Sequence, residues 1–228
     1  MRLLATVLLA AMMSCGPTAN ANDAPNLQER QKQVDKATQV LYDGNPADAV
    51  RLVDPVIAAF DADYADKSKT YFCADDDVAM LTLLGQSAAD NKDAVVLEST
   101  WCDALFVKGF ALIDLKRLPE AGAFLERAAE MDALNAHYIN EYAEWHKSNR
   151  NWQKSYDLFE KARDAAAYAP KKYRPEFEAR SLRGMGFTKI ELGDLDQAEK
   201  YFRDSLKLVP KHQGALQELD YIKTLRKK

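Results

Sequence analysis

An all-α fold of stacked antiparallel helix pairs is predicted by three observations. The first is internal repetition. Gly109, Ala121, Leu125 and Ala128 recur 34 positions later as Ala143, Ser155, Phe159 and Ala162, and again, after a nine-residue insertion, as Gly186, Ala198, Phe202 and Ser205. A period of this length marks helix pairs that cannot bury their apolar faces singly and so stack on one another. The second is apolar spacing at the helical period through most of the chain, with no convincing strand. The third is the shortness of the polar breaks between helical segments, rich in Gly, Asn, Asp and Pro.

The elements follow in order. Residues 1–21 read as an export signal: Arg2 supplies a positive start, and Leu3 to Met13 is an eleven-residue run, apolar except for Thr6 and too short to span a bilayer. Ala19-Asn20-Ala21 is a small-x-small cleavage site, which predicts a free periplasmic protein. Ser14-Cys15 offers the alternative of a lipoprotein anchored through Cys15, although Met12 and Met13 fit that site poorly. After a leader at Asn22–Asn26, a helix is expected from Leu27 to Tyr42. Asp43-Gly44-Asn45-Pro46 ends it, with Asn45 as N-cap and Pro46 at the first helical position of a helix reaching about Phe60. Asp61 to Ala74 reads as a loop. Asp75, Asp76 and Asp77 place negative charge where a helix to Ala89 begins. A short helix is expected at Asp93–Glu98, then one from Trp101 to Leu115.

The repeats proper come next: Pro119 to Met131, then the pair Asn135–Ser148 and Trp152–Ala167. Pro170 and Pro175 bracket a basic insertion containing Lys171, Lys172 and Arg174. Glu176–Leu192 and Leu195–Leu208 form a further pair, broken at Gly193-Asp194. His212–Leu225 is a terminal cap with one apolar face, for a total of about eleven helices. Packing explains the repeated residues. Gly109, Ala143 and Gly186 are small where two helices of a pair approach, and Ala121, Ser155 and Ala198 answer them on the facing helix. Leu105, Ile139 and Leu182 fill the space between pairs, and Leu118, Trp152 and Leu195 plug the turns.

These residues resemble the tetratricopeptide repeat over three units in 102–210, with 211–228 as capping helix. The last unit matches best: Leu182, Met185, Gly186, Gly193-Asp194-Leu195, Ala198, Phe202, Ser205 and Pro210. The first two depart from the family in carrying Ala133 and Ala167 where a closing proline is usual. A fainter copy (Ala37, Ala49, Val53, Val56, with Gly44 at the turn) and a half-repeat at Leu81 and Gly85 make 27–98 a degenerate N-terminal region. The resemblance implies a right-handed superhelical solenoid whose concave face is lined by the first helix of each pair and holds a partner segment.

Composition sets bounds on function. With 47% apolar and 29% charged residues among 228, the chain is an ordinary globular protein, and its formal charge of −4 gives no basic excess for nucleic acid. Apart from Cys15, the only cysteines are Cys73 and Cys102, read as one disulfide or as two buried thiols. A disulfide would brace the irregular joint between the degenerate region and the repeats. No nucleophile–base set, phosphate loop or metal-ligand spacing is visible, so neither catalysis nor a cofactor is expected.

Inferred concave positions are Phe106, Phe110 and Ile113, then His137 and Asn140, then Arg180, Arg183 and Phe187. An apolar floor beside two arginines predicts an acidic or C-terminal partner segment. The competing expectation is that the helix bearing Leu81 and Leu84 covers the phenylalanines and that neighbouring acids pair the arginines. The chain thus reads as an exported adaptor. A ligand-binding or enzyme-linked subunit, with a pocket near Asp61–Ala74 or Tyr138–Trp152, is the first alternative. The second is self-association of Lys171–Arg174 with the acidic Asp61–Asp77 region of another copy.

Overall fold

The computed structural model describes residues 26–227; the expected export signal and the Cys15 anchor lie outside the described residues. Within them the chain forms ten α-helices, one 3-10 turn and two short strands. Four helix pairs make the stack: α1 (Leu27–Tyr42) with α2 (Pro46–Asp63), α4 (Thr100–Asp114) with α5 (Leu118–Met131), α6 (Ala136–Ser148) with α7 (Trp152–Ala165), and α8 (Arg174–Glu191) with α9 (Leu195–Leu208). Helix α10 (Gln213–Leu225) covers the end, burying Ala215 and Ile222 against Ala198 and Phe202.

One turn geometry joins every pair. Gly44 (φ 82°), Lys116 (φ 62°), Arg150 (φ 58°) and Gly193 (φ 82°) all sit two residues before the second helix, in the left-handed region. Glycine takes this conformation freely, whereas Lys116 and Arg150 adopt it at a steric cost. The helix starts differ in detail. Pro46 stands at the first position of α2 and Asn45 is its N-cap residue, as expected, although the Asn45 side chain makes no capping bond. Asp76 caps α3 (Asp77–Ala89) by accepting from the Ala79 N–H at 2.8 Å, and Asp194 caps α9 by accepting from the Gln197 N–H at 3.1 Å.

The small residues work as close-approach points. A Cβ on Gly109 would lie 2.9 Å from the Leu125 side chain, and one on Gly186 would lie 2.8 Å from the Phe202 ring. Both pairs repeat the same register within a helix pair, and the middle pair closes it with a hydrogen bond from Ser155 Oγ to the Ala143 carbonyl at 2.9 Å. Leu105, Ile139 and Leu182 are buried, joining a core that runs continuously from Val34 to Met185.

Between α2 and α4 the chain departs from the repeat. Strand β1 (Thr70–Ala74), helix α3 (Asp77–Ala89) and strand β2 (Ala94–Glu98) form a parallel two-stranded unit, paired from Thr70 with Ala94 to Ala74 with Glu98. This corrects three expectations. The helix expected at 93–98 is instead a strand over Ala94–Glu98, so the described residues form ten helices and not eleven. The expected loop at 61–74 is the end of α2, a turn and β1. Gly85 does not mark a half-repeat, because a strand and not a second helix follows its helix and no packing partner comes within 4 Å of where its Cβ would be. Meanwhile α2 packs directly on α4, so the βαβ unit is an excursion from an otherwise regular stack. Cys73 on β1 and Cys102 in the first turn of α4 are joined by a disulfide (S–S 2.00 Å) that ties the excursion to the stack.

Candidate functional site

The first helix of each pair lines an inner face with three openings. A cavity of about 740 Å³ lies between α1, α4 and α6, with Val34, Leu41, Phe106, Val107 and Phe110 as its apolar surface. A second, of about 390 Å³, lies between the start of α3, α4, α6 and the start of α8, and is walled by Tyr138, Tyr168, Tyr173 and Phe177 together with Asp75, Asp76, Asp103 and Asp132. Asp103, His137 and Tyr138 line both and form the ridge between them. A third, of about 290 Å³, is set between α6, α8 and the cap, where Lys147, Arg180, Arg183, Phe187 and His212 gather with Glu144 and Glu218.

The ridge is built from packing and burial. The Phe106 ring stacks on Tyr138 at a centroid distance of 4.6 Å, and His137 lies 4.9 Å from Phe106 and 6.0 Å from Phe177. The buried Tyr138 hydroxyl donates to Asp103. Burial pushes the Asp103 carboxyl up to about 6, helped by Asp75 and Asp35 and opposed by the Tyr138 bond. Asp132 is 2% exposed. Burial and the nearby Asp75 push it up to about 8, against the hydrogen bond it accepts from Asn135. Burial holds His137 below its ordinary value.

The positions expected to form one groove therefore separate. Phe106, Phe110 and His137 line the large cavity, while Arg180, Arg183 and Phe187 line the third. Ile113 is half-buried and packs against the core. Asn140 is fully buried, donating to the Ala136 carbonyl at 2.8 Å and accepting from Ser181 Oγ at 3.0 Å, so it joins α6 to α8 and faces no groove. The arginines do not reach the phenylalanine floor. Arg180 pairs with Glu141 at 2.7 Å and Arg183 with Glu176 at 3.0 Å. Leu81 and Leu84 do not cover the phenylalanines: they are 69% and 38% exposed on α3.

Sequence reasoning missed the grouping of the acids on the inner face, because Asp75, Asp103 and Asp132 are distant along the chain and are brought together only by tertiary packing. It also missed Gly122, where a Cβ would fall 2.4 Å from the Trp145 ring; Trp145 donates its indole N–H to the Leu118 carbonyl at 2.9 Å. Among the described residues, no group of three or more His, Cys, Asp or Glu is placed to hold a metal ion. No described helix is long and apolar enough to cross a membrane.

Residues 132–211 match the family of the tetratricopeptide repeat. No curated protein matches the chain. Among solved structures it is similar to Pseudomonas aeruginosa pilF, at 15% identity over 88% of this chain and 70% of that one (TM-score 0.60). It is similar also to the MamA RS-1 ArsTM double mutant, at 12% identity over 88% of this chain and 86% of that one (TM-score 0.58). The first TPR of Spaghetti (RPAP3), solved bound to the HSP90 peptide SRMEEVD, aligns at 17% identity over 58% of this chain and 98% of its own (TM-score 0.50). The fold is that of an all-α tetratricopeptide-repeat solenoid.

Proposed function

We propose that this tetratricopeptide-repeat solenoid is a non-catalytic adaptor of the cell envelope that holds a segment of another protein along its inner face. The observation that carries the reading is the uncovered apolar cavity of about 740 Å³ whose floor includes Phe106 and Phe110. Preformed openings that set an apolar floor beside polar groups, here Asp35, Asp103, Asp114 and Glu141, are where partner segments bury their anchors. At the other end of the face, Arg183 Nη1 is buried without a hydrogen-bond partner among the described residues, beside Phe187. A carboxylate from the partner, acidic side chain or chain terminus, would satisfy it by taking the place of Glu176 as the guanidinium turns outward. The export reading of residues 1–21 and the Cys73–Cys102 disulfide support an oxidising compartment, with the free form preferred over the Cys15-anchored one.

The test is in-cell crosslinking of the tagged full-length chain, with the captured proteins identified by mass spectrometry. Recovery of one envelope protein, reduced by Phe110→Asp and by Arg183→Glu while both variants keep the native melting temperature, is expected. Undiminished recovery with both variants would remove the inner face from the reading.

A further inference from the structure

The larger end of the inner face is acidic, whereas the cations at the other end are balanced, Lys147 by Glu144, Arg180 by Glu141 and Arg183 by Glu176. Asp35, Asp114 and Glu141 line the apolar cavity, Asp75, Asp76 and Asp132 line its aromatic neighbour, and Asp103 lines both; among the described residues no lysine or arginine lines either. Of these acids only Glu141 has a cationic partner, Arg180. The aromatic cavity combines carboxyl groups with the rings of Tyr138, Tyr173 and Phe177, the two surface types that together favour an ammonium or guanidinium, and Lys172 Nζ already stands 5.1 Å over the Tyr173 ring. Next to it, across the Asp103–Tyr138 ridge, lies the apolar floor of Phe106 and Phe110. We propose that these two adjoining cavities take a basic–apolar segment of another protein, a Lys or Arg side chain entering the aromatic cavity and a large apolar side chain the phenylalanine floor. This rests on the adaptor reading and adds the charge of the partner at this end.

The electrostatics supply an independent signature. Asp103 faces Asp35 from α1, Asp75 from the start of α3 and Tyr138 from α6; Asp132 faces Asp75, Asp103 and Asn135. His137, on the same ridge, is held below its ordinary value by burial and feels Glu141 and Arg180. Among the described residues no cation pairs with either of these two carboxyls, which stay up at about 6 and about 8. A bound cation favours their charged forms and lowers both values. Binding therefore releases protons, and affinity rises with pH from 5.5 to 8.5.

The experiment is selection of a randomised twelve-residue peptide display library on the full-length chain, with Phe110→Asp as the control surface. Enriched peptides are expected to carry Lys or Arg beside a large apolar residue. A labelled selected peptide is expected to bind at least tenfold more weakly to Asp103→Asn, and more tightly at pH 8.5 than at pH 5.5. Enrichment of acidic or uncharged peptides that still depend on Phe110 would overturn the basic partner while leaving the adaptor reading in place. No enrichment over the Phe110→Asp control would overturn both. Concentration-dependent self-association abolished by Lys171→Glu with Lys172→Glu would give the face to a second copy and overturn the assignment to another protein.

Discussion

The helix stack and the βαβ excursion solve the same burial problem by different means. Each stacked pair presents a tight contact of small against large, as at Gly109–Leu125 and Gly186–Phe202, and the contacts recur so that every pair is buried by its neighbours. The excursion has a small cluster of its own, Ala74, Ala79 and Leu83, packed against Phe72, Met80, Val96 and the α5–α6 turn at Ala133 and Leu134. Its helix leaves Val78 and Leu81 65% and 69% exposed. It is held by a disulfide and by a polar seam where Asp75 meets Ser99 and Asn135. The difference teaches that repetition distributes stability, whereas an insertion must attach itself at a few points.

The largest effect should come from breaking the stack. Phe159 is fully buried, and its ring lies 2.4 Å from where a Cβ on Gly184 would stand, so it fills the junction between the middle and last pairs. Phe159→Ala should cost about 3–5 kcal/mol, read as a lower midpoint in urea unfolding. Gly184→Ala should destabilise by roughly 1–3 kcal/mol for the converse reason, overpacking. Near-wild-type stability for both would mean that this junction is loose and that stability does not propagate along the repeats.

Next is the tether. Replacing Cys73 and Cys102 together by alanine opens a loop with a sequence separation of 29 residues, which in the chain-entropy account costs about 3–4 kcal/mol. The comparison predicts where the loss appears. Hydrogen exchange should rise across β1, α3 and β2 while α6 to α9 keep their protection. A uniform rise along the whole chain would show that excursion and stack unfold as one unit.

The seam between the two regions should be sensitive to pH. Asp132 on the stack is held up at about 8, chiefly by burial and then by Asp75 of the excursion. Its value in the folded protein exceeds that of the unfolded chain, so the folded state holds the proton more tightly. The stabilisation is complete below about pH 4, an ordinary aspartate value, and is lost as pH rises through about 8. Asp103, held up at about 6, adds the same trend over a lower range. Asp132→Asn should raise the melting temperature at pH 8.5 and change it little at pH 4, each kcal/mol being worth roughly 2–4 °C. An equal shift at both values would mean that Asp132 is ionised throughout and paired in some other way.

The same contrast explains what the sequence revealed. In the stack, size alternation at a fixed period encodes both helices and contacts, so Gly109, Ser155 and Phe202 announce their neighbours. The excursion carries no such period. Its strands are five residues each, Thr70–Ala74 and Ala94–Glu98, half-buried without a clean alternation, and pair in parallel across an intervening helix. Thr70, Tyr71 and Phe72 favour the first strand, but in the second only the adjacent Val95 and Val96 do, which is weak evidence against a short helix. The candidate site was legible in its apolar part for the same reason: Phe106 and Phe110 face inward from a first helix. Its charges were not, because the Arg180–Glu141 pair and the Asp75–Asp103–Asp132 grouping are made across elements by tertiary packing.

The smallest effect is the sharpest test of the excursion. Gly85 stands four residues after Leu81 and so imitates the spacing of a close-approach glycine such as Gly186. The structure gives the two glycines opposite surroundings: a Cβ at Gly186 meets the Phe202 ring at 2.8 Å, and a Cβ at Gly85 meets nothing within 4 Å. Gly85 lies inside α3, where alanine is the better helix former. Gly85→Ala should therefore stabilise α3 by about 0.5–1 kcal/mol, seen as slower amide exchange confined to the excursion. The identical change at Gly186 should destabilise the stack, since the ring it meets is 2% exposed and has little room to yield. Faster exchange in Gly85→Ala would show that a further element packs against α3 at this glycine, and that the excursion, like the stack, depends on close helix contact.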